Sequence, residues 1–320
     1  MKRRLTAILL SILLLLSAAG AEQETCYERI DPWGEELYWL AGTGWIVESP
    51  LQESAYPDAI KAQAEGYRLL AAQWNADLYV YLVETSRCVD FDHLQQDPVL
   101  WQLLQEYYPD CTLGRLHVDS VETYCDWFYQ TDHHWNYKGS YEGYTEIIRM
   151  ILGEDEPLLQ PVETVEFPFV FNGSYLRKLG RNDGNEPFTV YRFEYPDMIV
   201  RINQARRNSY GKADSYFGGE VTNPFSLSNH YAEFYGGDTG LVHFWTDQPE
   251  KENILIVSNS YSNAVNMLIA SHFNHTLVVD PREFENLFGQ DLTVPDLMRD
   301  YEVTRILLLG DPTFFKWQGE

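Results

Sequence analysis

The sequence predicts an α/β fold in which helices flank a parallel sheet. Segments with apolar residues at helical spacing alternate with short runs of β-branched and aromatic residues, which are typical of strands buried on both faces of a parallel sheet. The chain also has 320 residues, of which 45% are hydrophobic and 15% aromatic. A chain of this length and composition can bury a substantial core, as one large or two small domains.

The elements of the first half follow from this alternation. Apolar residues recur at helical spacing in 57–74, and the near-continuous apolar run at 77–84 predicts a buried strand. The same reasoning predicts a helix at 98–108, a short strand at 114–118 and a helix at 137–152. The acidic, proline-bearing segment 153–161 is typical of a linker and indicates a boundary.

The second half changes character at about residue 162. Residues 162–245 contain short alternating stretches, many Tyr and Phe residues and frequent Gly, Asn and Pro, and we interpret them as a β-rich insertion in the main fold. Helices and strands then alternate again, with strands predicted at 253–258, 276–280 and 303–309 and helical segments at 261–273, 282–288 and 293–300. This order predicts a parallel sheet.

The N-terminus has the pattern of a secretory signal. Lys2, Arg3 and Arg4 precede an apolar run over 5–19, and Ala19-Gly20-Ala21 has the small-x-small form of a cleavage site. We therefore expect residues 1–21 to be a signal peptide, residues 22–320 to form the mature domain, and the protein to be secreted or extracytoplasmic. An uncleaved membrane anchor is the alternative, although the apolar run is shorter than the ~20 residues of a membrane-spanning helix.

The net charge bears on the class of binding partner, and the cysteine count bears on disulfides and metal sites. The formal net charge of −25 argues against binding nucleic acid through bulk electrostatics. The chain has four cysteines, Cys26, Cys88, Cys111 and Cys125, and an even number in an exported chain predicts disulfides. Proximity in sequence suggests a disulfide between Cys111 and Cys125. The sequence contains no CxxC spacing, so a structural zinc site is not expected.

Ser260 is a candidate nucleophile. It follows the apolar run 253–257, where a strand should turn into a helix, and such turns expose a hydroxyl beside free backbone N–H groups. The alternative is structural, with Ser258 as a helix N-cap and Ser260 as an ordinary first-turn residue.

Asp132 and His134 are a candidate acid–base pair. A spacing of two places both side chains on one side of an extended segment, and an acyl-transfer base needs a carboxylate to fix its imidazole. A zinc site formed with His133 is a second interpretation, although adjacent histidines should point apart in an extended chain. A polar turn that caps the following helix is the third. The turn-like segments around Gly173 and Gly237 can supply N–H groups to an oxyanion hole.

The motif as a whole resembles a known family. The segment 129–135, Tyr-Gln-Thr-Asp-His-His-Trp, followed by Gly139 and Tyr144, is similar to the motif of the bacterial DHHW family and of the SGNH-hydrolase-like proteins of alginate O-acetylation. In such proteins a Gly-Asp-Ser-Tyr or Gly-Thr-Ser-Tyr segment carries the nucleophile, and Ser258-Asn259-Ser260-Tyr261 with Asn263 occupies that place here. Asp280-Pro281-Arg282 resembles the Asp-x-Arg segment found after the next strand.

The resemblance implies a fold and a set of roles. It implies an SGNH-hydrolase-like, flavodoxin-like fold with permuted motif order, in which Ser260 is the nucleophile, His134 the base and Asp132 the orienting acid. It also implies oxyanion or substrate-binding roles for residues around the nucleophile and in the turns: Asn259, Tyr261, Asn263, Gly173, Gly237 and Arg282.

The implied activity is O-acetyl transfer or deacetylation on an extracellular or cell-wall polysaccharide, with a membrane-bound O-acyltransferase as a possible acetyl donor. No cofactor, resident metal or nucleic-acid partner is expected. A carbohydrate-binding or assembly protein without turnover is the alternative, and metal-dependent hydrolysis is a third hypothesis.

Overall fold

The computed structural model describes residues 25–30, 37–51, 56–212, 216–217 and 228–317, so the predicted signal peptide at 1–21 lies outside the described residues. The strands are β1 (Tyr27–Arg29), β2 (Leu37–Leu40), β3 (Ile46–Glu48), β4 (Asp77–Val83), β5 (Thr112–Leu116), β6 (Glu163–Phe171), β7 (Glu186–Arg192), β8 (Ile199–Ile202), β9 (Ala205–Arg207), β10 (Leu241–Trp245), β11 (Ile254–Ser258), β12 (His275–Val279) and β13 (Arg305–Gly310).

The helices of this part of the chain are α1 (Pro57–Trp74), α2 (Val99–Tyr107), α3 (Val121–Trp127), α4 (Tyr137–Leu152), α5 (Ser174–Lys178), α6 (His230–Tyr235), α7 (Asn266–Ala270), α8 (Pro281–Phe288), α9 (Val294–Asp300) and α10 (Pro312–Lys316), with a 3-10 helix at Ser260–Ala264. Within the described ranges no helix is both long and apolar enough to cross a membrane.

An eight-stranded sheet forms the centre of the fold, in the order β5-β4-β13-β11-β12-β10-β8-β9. The five strands from β5 to β12 are parallel, whereas β10, β8 and β9 continue the sheet in antiparallel pairing. The predicted α/β fold class is confirmed. The sheet is mixed rather than wholly parallel, because three strands from residues 162–245 extend one edge.

The central strands are buried on both faces, as their continuous apolar runs predicted. In β4, Tyr79, Tyr81 and Val83 join the core on one face of the sheet. The alternate residues Leu78, Val80 and Leu82 join the core on the other face. Because side chains alternate along a strand, one apolar run supplies both cores.

Residues 162–245 are rich in strands, but these do not all belong to one unit. β6 and β7 form an antiparallel pair outside the central sheet, and an aromatic cluster packs around them. β8, β9 and β10 belong to the central sheet itself. The boundaries of an insertion at 162 and 245 stay a prediction.

The predicted continuous helix at 261–273 is wrong in detail. The segment instead forms the 3-10 helix and then the short helix α7. Asn259 caps the 3-10 helix at the Tyr261 N–H, and the Ser262 hydroxyl bonds the Asn259 carbonyl. Short polar side chains compete in this way with the regular helical bonding pattern, and 3-10 turns are common where they do so.

The predicted disulfide between Cys111 and Cys125 is not present in the structure, where all four cysteines are free thiols. Cys125 packs against the core on one face of the central sheet, and Cys111 packs against the core on the other. Proximity in sequence was therefore misleading, because the sheet separates the two side chains.

Candidate active site

Residues 128–135 form a closed loop between α3 and α4 that carries the Asp-His-His-Trp motif. Phe128 and Trp135 pair as an isolated β-bridge, and the Tyr129 N–H donates to the His134 carbonyl at 3.2 Å. Trp135 is fully buried and anchors the loop in the core. The predicted alternative of a helix cap does not apply to the motif, because Asn136 caps α4 by accepting from the N–H groups of its first turn.

Asp132, His134 and Ser260 form a continuous hydrogen-bonded chain. Nδ1 of His134 lies 2.7 Å from Oδ1 of Asp132, and Nε2 of His134 lies 2.9 Å from Oγ of Ser260. Ser260 is the first residue of the 3-10 helix at the carboxyl end of β11 and is partly exposed, whereas Asp132 and His134 are buried. Two segments 126 residues apart in sequence therefore meet at hydrogen-bond distance.

The Asp132 carboxylate is held in its charged form. Burial opposes ionisation, but attraction from His133 and His134 and the hydrogen bond from His134 outweigh it and lower the pKa of Asp132 below its usual range. Its Oδ2 accepts the Ser174 N–H at 2.6 Å, and the Arg177 guanidinium lies 3.9 Å away. Asp132 can therefore fix the His134 ring and stabilise an imidazolium.

The His134 imidazole lies between two rings. The Tyr231 ring stacks on it at 3.9 Å between centroids, with 11° between the planes. The His133 ring lies on it at 3.9 Å with an angle of 37°. Tyr231 also donates from its hydroxyl to the Ser260 carbonyl at 3.4 Å. The packing therefore restricts rotation of the His134 ring and ties it to the segment that bears Ser260.

His133 does not point away from His134, so the expectation for adjacent histidines was wrong. The loop is not extended here, and Nδ1 of His133 lies 2.6 Å from Oγ of Ser174. Burial lowers the pKa of His133 well below its ordinary value, and the charge of His134 acts in the same direction. The low pKa of His133 disfavours a second positive charge beside the His134 imidazole.

Asp132, His133 and His134 also form the one cluster of metal-ligand type within the described residues, with donor atoms within 4.8 Å of one another. Both nitrogens of His134 are already engaged, with Asp132 and with Ser260. His133 uses Nδ1 for Ser174. A metal would have to displace these hydrogen bonds, so the donor set fits an acid–base pair better than a metal centre.

The turn before Ser260 does not require glycine. Ser258 ends β11, and Asn259 adopts an extended conformation with φ of −104°. The Ser258 hydroxyl bonds that of Ser262 at 2.6 Å, and the Asn259 amide donates to the buried Asp311 carboxylate at 2.7 Å. The two departures from the Gly-Asp or Gly-Thr pattern are thus accommodated, and Asn259 caps the helix instead of Ser258.

Asp311 links this turn to a buried charge network. Arg87 donates to Asp311 at 3.2 Å and pairs with Glu48 at 2.7 Å. Asp311 also accepts from the backbone and hydroxyl of Thr313. The turn that presents Ser260 is therefore held by Arg87, Asp311 and Asn259, and the described residues show no hydrogen bond from these three to a triad side chain.

Tyr261 and Gly173 lie against the triad. The Tyr261 hydroxyl donates to the His133 carbonyl at 2.5 Å, and its ring lies 5.0 Å from that of His134. The Gly173 N–H donates to the Thr131 hydroxyl at 3.0 Å and is therefore not free for an oxyanion. A Cβ on Gly173 would lie 2.5 Å from the Cβ of Asp132, so this position needs glycine for close packing.

The remaining predicted residues lie farther from the triad. The Asn263 amide donates to the Gly236 carbonyl at 3.1 Å and its oxygen accepts from Tyr210 at 3.2 Å. Gly237 is exposed. Arg282 pairs with Asp280 and with Asp238, and the described part of the chain gives it no contact with the triad.

Sequence reasoning missed Ser174, Arg177 and Tyr231. Ser174 had a partial signal, since it follows Gly173 in a turn that was singled out. Tyr231 had no signal in the sequence, because its position beside His134 depends on how α6 packs against the motif loop. Glu186 was also missed: its carboxylate accepts from the N–H groups of Gln130 and Thr131 at 2.7 and 3.1 Å and supports the backbone before Asp132.

Comparison with known proteins identifies the fold. No protein-family model and no curated protein matches the chain by sequence. Among solved structures, a DHHW family protein from Eubacterium siraeum superposes with a TM-score of 0.63 at 17% identity, over 91% of this chain and 94% of that chain. The chain has the fold of a DHHW family protein. The predicted SGNH-like fold is therefore confirmed.

Two further structures are similar. PatB1 from Bacillus cereus superposes on this chain with a TM-score of 0.65 at 16% identity, over 88% of this chain and 97% of the other. The O-acetyltransferase domain of Pseudomonas putida AlgJ matches more loosely, with a TM-score of 0.48 at 11% identity, over 87% of this chain and 92% of the other.

Proposed function

We propose that this protein is a serine-dependent O-acetyltransferase or acetylesterase that acts on an extracellular or cell-wall polysaccharide. The observation that carries the proposal is the hydrogen-bonded chain from Asp132 through His134 to Ser260, with distances of 2.7 and 2.9 Å. A hydroxyl, an imidazole and a carboxylate in this order are the groups that nucleophilic acyl transfer requires.

The proposed reaction has two halves. Oγ of Ser260 attacks the acetyl carbonyl while Nε2 of His134 takes its proton, and the tetrahedral intermediate collapses to acetyl-Ser260 as the leaving alcohol receives that proton. A sugar hydroxyl or water then attacks the acetyl-serine, again losing its proton to His134. The product is a new sugar ester or acetate, and Ser260 is regenerated with its proton.

Stabilisation of the oxyanion is proposed to come from the backbone at the start of the 3-10 helix. Ser260 is the first residue of this helix, and the first N–H groups of a helix have no partner within it. The backbone N–H of Ser260 lies close to the Oγ of the same residue. The oxyanion of the tetrahedral intermediate forms beside this oxygen. The roles of Asn259, Tyr261, Asn263, Gly237 and Arg282 in binding stay predictions.

One structural neighbour has been solved with an adduct, which supports nucleophilic chemistry in a protein of this fold. PatB1 from Bacillus cereus was also solved with a sulfonyl adduct, and that structure covers 88% of this chain with a TM-score of 0.62. Sulfonyl groups form adducts with nucleophilic side chains, and a serine activated by an imidazole is such a nucleophile. On the basis of the predicted export signal, we propose that the reaction takes place outside the cytoplasm, with a membrane-bound O-acyltransferase as the acetyl donor.

The test compares Ser260→Ala with the parent protein on p-nitrophenyl acetate and on a fluorophosphonate label. Removal of the nucleophile should lower kcat by about 10³-fold or more and abolish labelling. Ser271→Ala is the matched control, because within the described residues its hydroxyl bonds just the Met267 carbonyl, at 2.8 Å. Unchanged turnover in Ser260→Ala would contradict the proposal.

Labelling and turnover, together with treatment by a chelator, distinguish the two alternative functions. A carbohydrate-binding protein without turnover predicts no labelling of the parent protein and no ester hydrolysis. A metal-dependent hydrolase predicts loss of activity after treatment with a chelator and recovery with Zn²⁺, with Ser260→Ala retaining turnover.

A further inference from the structure

A cavity of about 640 Å³ lies outside the triad, whose side chains do not line it, and it has no role in the chemistry described above. Its wall is built mainly from partly exposed aromatic side chains on α4, β7, the following loop and α6: Tyr137, Tyr141, Tyr191, Phe193, Tyr195 and Tyr235. Cavities of about 300–1,000 Å³ with apolar walls and a few polar groups are typical of small-ligand sites.

The 3-10 helix and α6 connect the cavity to the proposed nucleophile and its base. Asn263 lines it and lies three residues after Ser260, which is one turn of the 3-10 helix. Tyr235 also lines it, and its ring lies 5.0 Å from that of Tyr231, which stacks on His134. The triad side chains do not themselves line it. Its contents would therefore be next to the reacting group, not at it.

The aromatic rings form a continuous wall. Tyr137 meets Tyr191 edge to face at 4.7 Å, and Tyr141 contacts Tyr191 at 5.7 Å. Tyr141 and Phe193 lie at 5.8 Å with 26° between their planes, and Phe193 then contacts Tyr195 at 5.8 Å. Aromatic faces carry partial negative charge, so they attract C–H groups that carry partial positive charge.

The charge of the cavity is close to balanced, although the chain carries −25 overall. Among its lining residues in the described part of the chain, Arg192 and Asp197 are the charged ones. Arg192 is partnered by Glu163 at 3.4 Å and lies over the Phe217 ring at 5.3 Å. A polyanion would find no cluster of cations here, so the chemistry favours an uncharged ligand.

We propose that this cavity binds a neutral pyranose ring of the glycan substrate, one unit away from the sugar whose ester reacts at Ser260. The C–H face of the ring would pack on the tyrosine wall, while its hydroxyls bond the phenol groups and Asn263. This proposal rests on the proposed function for the substrate's chemical class. To that function the proposal adds a second sugar-binding subsite and a preference for neutral over acidic sugars.

Binding is tested in the Ser260→Ala protein, so that turnover has no part in the result. Calorimetric titration with cellotetraose and chitotetraose should show binding, and tetragalacturonate, an acidic oligomer of the same length, should bind at least about tenfold more weakly. Tyr191→Ala should weaken binding of the neutral oligomers by about tenfold, and Tyr191→Phe, which keeps the ring, by no more than about threefold.

Folding of Tyr191→Ala is checked by its thermal melting temperature, and Tyr137→Ala serves as a second, independent variant of the wall. The proposal is overturned if neither neutral oligomer binds at millimolar concentration, if tetragalacturonate binds as tightly as they do, or if both alanine variants bind like the parent. Ester hydrolysis by the protein with Ser260 intact would still stand in those cases, so failure of the cavity and failure of the proposed function are distinguishable.

Discussion

The phenol ring of Tyr231 lies flat against the imidazole of His134, with 3.9 Å between centroids and 11° between planes. The face of an aromatic ring attracts a cation, and His134 would carry a positive charge when it holds the proton of Ser260. The contact can therefore stabilise the transition state as well as orient the base.

Replacement of Tyr231 tests this contact. Tyr231→Ala should lower kcat/KM for p-nitrophenyl acetate by about 2- to 30-fold, since a cation–π contact contributes about 0.5–2 kcal/mol. Tyr231→Phe keeps the stacked ring and loses only the long hydrogen bond to the Ser260 carbonyl, so it should stay close to the parent. Equal losses in the two variants would assign the effect to the hydroxyl instead.

Ser174 and His133 are expected to act as one positioning unit. Ser174→Ala keeps the N–H that donates to Asp132 but loses the hydroxyl that bonds His133, and a loss of about 1 kcal/mol should lower kcat about fivefold. The measurement is a double-mutant cycle with His133→Ala. Once the His133 side chain is absent, Ser174→Ala should lower kcat less than it does in the parent, because only the bond from the backbone N–H of residue 133 to the Ser174 hydroxyl, at 3.3 Å, remains to be lost. Fully additive losses would refute the coupling.

Gly173 should be intolerant of any side chain. In Gly173→Ala the new Cβ would lie 2.2 Å from the Thr131 carbonyl oxygen, so the loop must shift at a cost of about 1–3 kcal/mol in the free energy of unfolding. Gly237→Ala is the matched control, since a Cβ there meets nothing within 4 Å. Urea denaturation should show a loss for the first variant and little change for the second. Equal stability of the two would show that the loop has room to adjust.

Glu186 should make stability depend on pH. Burial raises the pKa of its carboxyl to about 8, against three hydrogen bonds that favour the charged form. The folded protein then holds this proton more tightly than the unfolded chain does, so the free energy of unfolding should fall as pH rises from the ordinary Glu pKa of about 4.3 towards 8.

Urea denaturation between pH 5 and 9 measures this dependence. Glu186→Gln lacks the titrating group and should show a flatter dependence over the same range, whatever its absolute stability. Parallel pH profiles for the two proteins would exclude Glu186 as the source.

The parts of the site that could be predicted depend on local patterns. Asp132 and His134 are two residues apart, and Ser260 follows an apolar run that had to be a buried strand, so each could be selected without knowing the fold. The central strands were predictable for the same reason, because a strand buried on both faces reads as a continuous apolar run.

The rest depended on contacts between distant segments. Ser174, Tyr231 and Glu186 reach the motif from the β-rich segment, whose short strands carry no periodicity that fixes their partners. The addition of β10, β8 and β9 to the central sheet was hidden for the same reason. The pairing of Cys111 with Cys125 failed because neighbours in sequence can lie on opposite faces of a sheet.

The Asp311 carboxylate has a consequence for how the protein matures. It is fully buried, directly follows β13, and is bonded by Arg87 and Asn259, so the turn that presents Ser260 is completed by residues near position 311. A growing polypeptide that already contains Asp132, His134 and Ser260 still lacks this anchor. The proposed nucleophile should therefore become competent only after β13 has been synthesised and has inserted between β4 and β11.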